Sequence, residues 1–414
     1  MSYLSYSRSM QNYFSIISLG VILAAGASAQ SLYQATNSAD EPLPLRWVAG
    51  ANVIYDDNVA TTEADKQSSI AYNPSVGLSF TRTTPQTVID VNGRLGVIYY
   101  PDAPVINGQP IDDLSNQSRL GVSLTHRFSE RLRFTSQNMI SREREPEYSY
   151  GIASGRRTNS GEYISSTSDN TFGYRWTERF GTTTGIKYSQ IDNPNADSQD
   201  SNRTTWEFHH QFRYQYSPQN VVTSGYRYEQ GEASGDSQNS TDHFLTVGDE
   251  YRFSPNTIGV ISAGAQMHSI DGGDSSTVPF LELSGNSRVN QQLSFKTFIR
   301  YRAESDGLTR SIDGKTINYS KRETLRLGVT NEYQISPKFI LSGGLDYIPG
   351  SYTGASQKSL DREESLLNMY ISATIKFNDF LTGVATYTFA DNVSDFVDEN
   401  YRRNRISLGL NASF

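Results

Sequence analysis

The chain has 414 residues, a formal net charge of -8 and no cysteine. The absence of thiols excludes cysteine catalysis, cysteine-ligated zinc and disulfide bonds. Its mean hydropathy is -0.54, yet it carries 26 tyrosines and 19 phenylalanines, and disordered chains are poor in aromatic residues. A polar but aromatic-rich composition is typical of a chain that turns one face to water and the other to lipid.

The first 29 residues have the pattern of a cleaved signal peptide. Arg8 is the only charge among them, residues 14–25 are apolar, and residues 27–29 (Ala-Ser-Ala) match the small-x-small cleavage pattern. The alternative is a membrane anchor, but the apolar stretch is short for a bilayer span of ~20 residues. We therefore expect residues 1–29 to be removed and residues 30–44 to form a short polar periplasmic lead.

From residue 45 to residue 414, segments of alternating polar and apolar residues follow one another. Strict alternation predicts a β-strand with one wet and one apolar face. Tight turns separate pairs of strands; Pro at the second position of a turn presets its angle, and Ser, Asn or Asp caps it. The predicted turns are residues 84–86, 129–131, 177–179, 217–220, 254–256, 290–292, 336–338 and 378–379.

Longer acidic connections, rich in Asn, Gly and Ser, lie between these turns, centred near residues 60, 107, 152, 196, 235, 273, 311, 356 and 396. Nine hairpins predict a transmembrane antiparallel β-barrel of eighteen strands over residues 45–414, with short periplasmic turns and longer acidic extracellular loops. Sixteen strands would follow if one hairpin within 163–176, 182–190 or 258–268 lay outside the membrane. A soluble propeller could repeat at ~40 residues but needs four strands per repeat, where two fit.

Basic residues gather on the phase opposite the apolar one. A charge facing lipid at mid-depth costs about 2–4 kcal/mol, so this phase should face the lumen. The predicted channel-lining residues are Arg94, Arg119, Arg133, Arg175, Lys187, Arg213, Arg227, Arg252, Lys296, Arg300, Arg302 and Arg326. A basic, water-filled lumen favours anionic solutes or an anionic polymer. The alternative is that these cations pair with wall acids and only stiffen the lumen.

The third long connection is a candidate constriction loop. It carries Glu143, Glu145 and Glu147, followed by Arg156 and Arg157. In trimeric general porins the third loop folds into the barrel, so we expect acids and arginines to face each other across the pore here. A flexible external loop is the alternative.

The sequence predicts no enzyme, no cofactor and no metal site. Its five histidines are scattered, and no nucleophile motif accompanies them. The Asp-Gly-Gly-Asp segment at 271–274 has two carboxylates, but such a loop is more often a solvated turn than a calcium site. A nucleic-acid partner is not expected.

The C-terminal segment, residues 405–414, alternates strictly and ends on Phe414. A terminal aromatic on an alternating strand resembles the closing strand of a bacterial outer-membrane barrel. We interpret Phe414 as an assembly signal for the barrel assembly machinery. The expected surroundings are outer-membrane lipid and lipopolysaccharide.

Residues 53–59 (VIYDDNV), residues 400–410 (NYRRNRISLGL) and the eighteen-strand plan without a plug together resemble the β-barrel porin type 2 superfamily. The resemblance implies an outer-membrane channel. Some members are linked to exopolysaccharide gene clusters, which implies a periplasmic polysaccharide-export protein as partner. The predicted function is therefore a porin for anionic solutes or an exopolysaccharide. The alternatives are a structural or adhesive barrel with a plugged lumen and, less favoured, an outer-membrane barrel enzyme.

Overall fold

The computed structural model describes residues 45–106, 109–110, 112–143, 163–192, 202–233, 238–272, 275–305, 308–312, 315–354, 360–396 and 399–414. The predicted signal peptide and periplasmic lead lie outside the described residues. Within the described ranges, no helix has the length and apolar character needed to cross a membrane.

Eighteen antiparallel strands form one sheet. They are β1 (Leu45–Asp56), β2 (Ser69–Thr83), β3 (Thr87–Tyr99), β4 (Leu114–Arg127), β5 (Leu132–Glu143), β6 (Tyr163–Arg175), β7 (Phe180–Asp192), β8 (Arg203–Gln215), β9 (Asn220–Ala233), β10 (Ser240–Ser254), β11 (Thr257–Ile270), β12 (Ser275–Arg288), β13 (Leu293–Glu304), β14 (Lys321–Ser336), β15 (Phe339–Thr353), β16 (Arg362–Lys376), β17 (Leu381–Ser394) and β18 (Tyr401–Ser413). Two short hairpins lie in the loops, Val105–Ile106 with Gln109–Pro110 and Thr309–Ile312 with Lys315–Asn318.

The sheet closes on itself. Each strand pairs with its neighbours along the chain, and β18 pairs back with β1 from Val48↔Ser413 to Asp56↔Arg405. At the end of this seam, Trp47 and Phe414 exchange two backbone hydrogen bonds of 3.0 and 2.8 Å. The all-β barrel of eighteen strands is confirmed, and the three segments that left sixteen open are ordinary barrel strands.

Side chains cap the short turns, with Ser or Asn as predicted in six turns and with Thr84 and Thr177 in the other two. In each of the eight turns the first Ser, Thr or Asn accepts a backbone N–H two or three residues further on. Ser217 Oγ, for example, accepts from the amides of Gln219 and Asn220 at 3.2 and 3.0 Å.

The prediction of a long connection near residue 273 was wrong. The connection between β11 and β12 spans only residues 271–274, which is no longer than a turn.

The outer surface carries the apolar phase of the strands. Leu95, Ile186, Val247, Ile371 and Leu408 are each about half exposed or more. The inner surface carries the polar phase, where charged side chains meet one another across strands. Because side chains alternate along a strand, the position of one exposed apolar residue sets the direction of all its neighbours.

Candidate functional site

The structure places all twelve predicted basic residues on barrel strands, on the phase opposite the exposed apolar side chains. It brings only some of them together: Lys187, Arg227, Arg300 and Arg302 line one recess. The remaining eight are distributed around the inner wall: Arg94, Arg119, Arg133, Arg175, Arg213, Arg252, Lys296 and Arg326.

Some of these cations have acidic or amide partners on the wall. Arg213 binds Glu250 on β10, and both side chains are almost fully buried. Arg94 on β3 is exposed and donates to Asn73 Oδ1 at 2.8 Å. Cross-strand pairing therefore accounts for part of the basic wall, as the stiffening alternative expects, but not for its clustering in the recess.

The loop-side half of the barrel is partly filled by inward-packed segments. Leu308 and Tyr319, from the connection between β13 and β14, pack with Phe396 from the last connection. Their partners are the inward side chains Ile270 on β11 and Tyr352 on β15. A second segment, between β1 and β2, is also buried, as shown by Asn58, Val59 and Thr61.

The inner wall of β3 and β4 is different, because Arg94 and Ser123 there are exposed. Within the described part of the chain, the inward-packed segments thus cover one side of the lumen and leave an open strip along β3 and β4. Among the described residues, the connections that pack inward are those after β1, β13 and β17. Of the residues predicted for a third-loop constriction, Glu143 binds Arg119 at 2.6 Å on the inner wall. Glu145, Glu147, Arg156 and Arg157 lie outside the described residues.

Strand β13 begins the largest inward excursion. It pairs with β12 as far as Leu281↔Tyr301 and then leaves it. Beyond this point Ala303 exchanges two hydrogen bonds with the side chain of Gln266 on β11, at 2.8 and 2.9 Å. Gln266 and Ala303 are both fully buried. The end of β13 therefore lies across the inner face of the neighbouring strands.

A basic recess of about 190 Å³ forms between this end of β13 and strands β7 to β9. Five of its lining residues are basic and three are carboxylates, so the lining is net positive by two charges. Three hydroxyl residues, Ser189, Thr205 and Ser305, complete the lining. The charged members are Lys187, Arg203, Arg227, Arg300, Arg302, Glu207, Glu229 and Glu304.

Two ion pairs hold the recess together. Arg302 donates to both carboxylate oxygens of Glu229 at 2.8 and 3.1 Å, a bidentate arrangement that fixes orientation as well as charge. Arg326 on β14 contacts Glu304 at 2.8 Å. The first pair connects β13 to β9 across three intervening strands, so it can form only because β13 bends inward.

Arg227 is held flat against aromatic rings. Its guanidinium carbon lies 3.8 Å from the centre of the Phe244 ring and 5.1 Å from that of Phe280. The guanidinium carbon of Arg302 lies 5.2 Å from the centre of the same Phe244 ring. Two nitrogens of Arg227, Nε and Nη2, are buried without a hydrogen-bond acceptor. Cation–π contact positions this cation without neutralising it.

Arginines stand directly opposite each other at three places on the inner wall. The cross-strand pairs are Arg94↔Arg119, Arg127↔Arg133 and Arg300↔Arg326. Like charges directly opposite destabilise a sheet, so such pairs are costly unless an anion lies between them. Arg300 is weakly compensated, since the Glu282 carboxylate oxygen is 3.9 Å from its Nη1 and its buried Nε has no acceptor.

Sequence reasoning missed five members of the recess, which are Ser189, Arg203, Thr205, Glu304 and Ser305. Arg203 reaches across the wall and donates to the Ser305 carbonyl at 3.0 Å. Gly231 makes this path available, because a Cβ there would lie 2.5 Å from Arg203 Nη2. Alternation along β13 is enough to place Glu304 inward. Nothing in the pattern indicates that Ser305, the residue after it, meets Arg203 on β8.

The histidines do not assemble into a reaction centre among the described residues. His268 is fully buried, and its Nδ1 lies 2.7 Å from Asp242 Oδ1, which also accepts from Gln266. Because all three side chains are covered, this group anchors the end of β13 rather than meeting a solute. The described part of the chain also has no group of three or more His, Asp or Glu placed to hold a metal ion.

No family model and no curated protein matches the chain. Among solved structures, OpdQ from Pseudomonas aeruginosa aligns with a TM-score of 0.48 and 11% identity, over 91% of this chain and 100% of that chain. OccK9 (OpdG) from the same organism gives 0.47 and 13%, over 89% and 98%. OpdK from Pseudomonas aeruginosa with vanillate gives 0.46 and 12%, over 90% and 99%. OpdK is described as an outer membrane protein.

Proposed function

We propose that the chain is an outer-membrane channel that passes small anionic solutes through a basic lumen. The observation that carries the proposal is the basic recess, where five cations face three carboxylates inside a closed barrel. The apolar outer phase supports a position in a bilayer. Arginines suit the carboxylate, phosphate and sulfate groups of anionic solutes.

The distribution of cations supports a path with several weak sites. The recess lies toward the loop side, whereas Lys296, Arg213 and Arg133 lie further toward the short turns. Conduction requires attraction strong enough for entry and weak enough for release, and several partly compensated cations meet both conditions. The three carboxylates in the recess lower its net positive charge. They therefore weaken the binding of an anion and make its release easier.

The inward-packed segments favour small solutes over an exopolysaccharide, the larger cargo that the sequence resemblance implies. They occupy part of the loop-side lumen and leave an open strip beside β3 and β4. The same segments favour a second candidate function, a structural barrel whose lumen is closed. Conductance separates the two, because a closed barrel carries no current.

The test is single-channel recording of the purified protein in a planar bilayer with a KCl gradient. We expect open channels whose reversal potential indicates a preference for chloride over potassium. The variant carrying Arg227→Glu and Arg300→Glu should lose this preference, because it changes the recess from net positive to net negative.

The matched control is Arg131→Glu, which introduces the same kind of charge reversal at an exposed position in a short turn. It should leave the reversal potential near the wild-type value. Absence of conductance would refute the channel, and equal shifts in both variants would refute the role of the recess. Block of the current by a long anionic polysaccharide added from the short-turn side, followed by its passage, would favour the exopolysaccharide instead.

A further inference from the structure

Four polar side chains form a closed hydrogen-bonded ring on the outer face of β5 and β6. Ser136 Oγ donates to Asn170 Oδ1 at 2.7 Å, and Asn170 Nδ2 donates to Ser168 Oγ at 2.8 Å. Ser168 Oγ donates to Asn138 Oδ1 at 2.7 Å, and Asn138 Nδ2 returns to Ser136 Oγ at 2.8 Å. We call Ser136, Asn138, Ser168 and Asn170 the outer polar ring.

The outer polar ring lies on the lipid-facing phase, in the middle of an apolar frame. Phe134 and Phe172 pair with each other on its short-turn side, with ring centres 4.7 Å apart. Ile140 follows it on the loop side and is about half exposed. Val122 stands opposite Asn138 on β4, and Ile186 stands opposite Asn170 on β7. The ring is therefore at the depth where a barrel normally presents only apolar side chains.

The polar surface continues around the barrel. Thr184 on β7 and His210 on β8 pair across strands on the same outer phase. Thr184 Oγ1 and His210 Nδ1 are 2.7 Å apart. Thr184 in turn pairs with Phe172, directly below the ring. The outward surface from β5 to β8 thus combines an apolar border with two hydrogen-bonded polar groups.

Hydrocarbon does not complete the hydrogen bonding of the ring. Each member donates one hydrogen bond and accepts one within it. An asparagine amide has a second N–H and a second lone pair on its oxygen, and a hydroxyl has further acceptor capacity. Asn138 is exposed, so its spare groups face outward. Polar groups left in lipid without partners are costly, which favours a protein surface over acyl chains at this site.

We propose that the outer polar ring is the centre of a dimer interface with a second copy of this chain. Two copies inserted in the same direction present their rings at the same depth. The ring is uncharged, and after its internal hydrogen bonds it keeps both spare amide N–H donors and spare oxygen acceptors, so the donors of one copy can bind the acceptors of another. A two-fold axis along the membrane normal places one ring against the other, which is the isologous arrangement most common among homo-oligomers. The apolar frame would then exclude lipid from the polar contact.

The chain offers a clean cross-linking test because it contains no cysteine. A Ser168→Cys variant is expressed in outer membranes and treated with a mild oxidant. We expect a disulfide-linked species of twice the chain's mass, since the axis passes close to this position. The matched control is Ile371→Cys on β16, which is 60% exposed on the outer face of a distant strand. It should remain monomeric under the same conditions.

A second variant tests the polar contact itself and does not depend on cross-linking. Asn138→Leu with Ser168→Ala makes the site apolar, as lipid would prefer. We expect the wild type to be dimeric in nanodiscs by mass photometry and this variant to be monomeric, with both proteins showing the folded, heat-modifiable form. A dimer that survives the double substitution would overturn the proposal. So would equal cross-linking at both cysteine positions, or cross-linking of Cys-substituted Ser168 only to a protein of another mass.

Discussion

At the scale of single residues, the recess shows how a basic wall tolerates its own charge. Glu207 and Glu229 stand opposite each other on β8 and β9, a like-charge acidic pair. Arg302 reaches Glu229 from β13, and Arg227 on the same strand as Glu229 lies over Phe244. Neither sign is balanced residue by residue. The balance is made across strands, and the recess as a whole stays net positive by two charges.

Replacing Glu229 with Gln should affect both stability and selectivity. Arg302 keeps one amide oxygen as acceptor but loses a bidentate ionic partner, and both side chains are only about one-tenth exposed. We expect the free energy of unfolding in urea to fall by about 2 kcal/mol, between the values for exposed and buried ion pairs. Preference for chloride should rise, because one lumen carboxylate is removed.

Glu130→Gln is the control for this prediction, since Glu130 is exposed in a short turn. It should change neither the unfolding midpoint nor the reversal potential. If Glu229→Gln behaves like this control in both measurements, the Arg302–Glu229 pair has no role in holding the recess.

The inward direction of single residues could be predicted from the sequence, whereas their partners could not. Alternation along β13 is enough to place Arg300 and Arg302 toward the lumen. It gives no information on which acid each one meets, because Glu229 is 73 residues away and on a strand that is not adjacent. For the outer polar ring, alternation did not single out the residues at all. Ser136 and Asn138 fall on the apolar phase, and polar residues there weaken a pattern that is searched for hydrophobic alternation.

At the scale of elements, the departure of β13 from β12 has a local cause. After Leu281↔Tyr301, the next outward residue of β12 is Pro279, which would stand opposite Ala303. Proline has no N–H to donate to a ladder and is tolerated at the margins of sheets. The buried side chain of Gln266 then supplies the hydrogen bonds that Ala303 would otherwise lack. The composition of the following connection gives no sign of this bend.

Gln266→Leu should release the loop-side end of β13. Leucine has a similar size but removes three hydrogen bonds, two to Ala303 and one to Asp242. Removing a partner from buried polar groups leaves them unsatisfied, which costs about 1–3 kcal/mol each. We expect faster proteolysis between β13 and β14 and a larger, noisier single-channel conductance.

Gln137→Leu is the matched control, because Gln137 is an inward glutamine of β5 away from the inward-packed segments. It should leave both proteolysis and conductance unchanged. Unaltered proteolysis in the Gln266→Leu variant would show that the packing of Leu308 and Tyr319 is enough to hold the segment in place.

At the scale of the whole molecule, the negative net charge of the chain does not reveal that positive charge is concentrated inside the barrel. The chain has a net charge of -8, yet the recess inside the barrel is net positive by two. The number of strands and their order followed from turns and alternation, since each hairpin is a local pattern. The narrowing of the lumen did not follow, because it depends on contacts between connections far apart in the chain, such as Tyr319 with Phe396.

The salt dependence of the anion preference should show whether anions are selected by the electric field of the wall cations or by direct contact with them. Mobile ions screen charges over about 10 Å at 0.1 M salt and about 3 Å at 1 M. A solute in the open strip beside β3 and β4 is next to Arg94 and Arg119 but is separated from the recess on β7 to β9, so it senses the recess cations through their field. We expect the ratio of chloride to potassium permeability to fall as KCl rises from 0.1 to 1 M. The variant carrying Arg227→Glu and Arg300→Glu should show little of this change, because its recess no longer attracts anions. A preference that stays constant from 0.1 to 1 M would mean that anions are selected by direct contact at the recess rather than by the field of the wall.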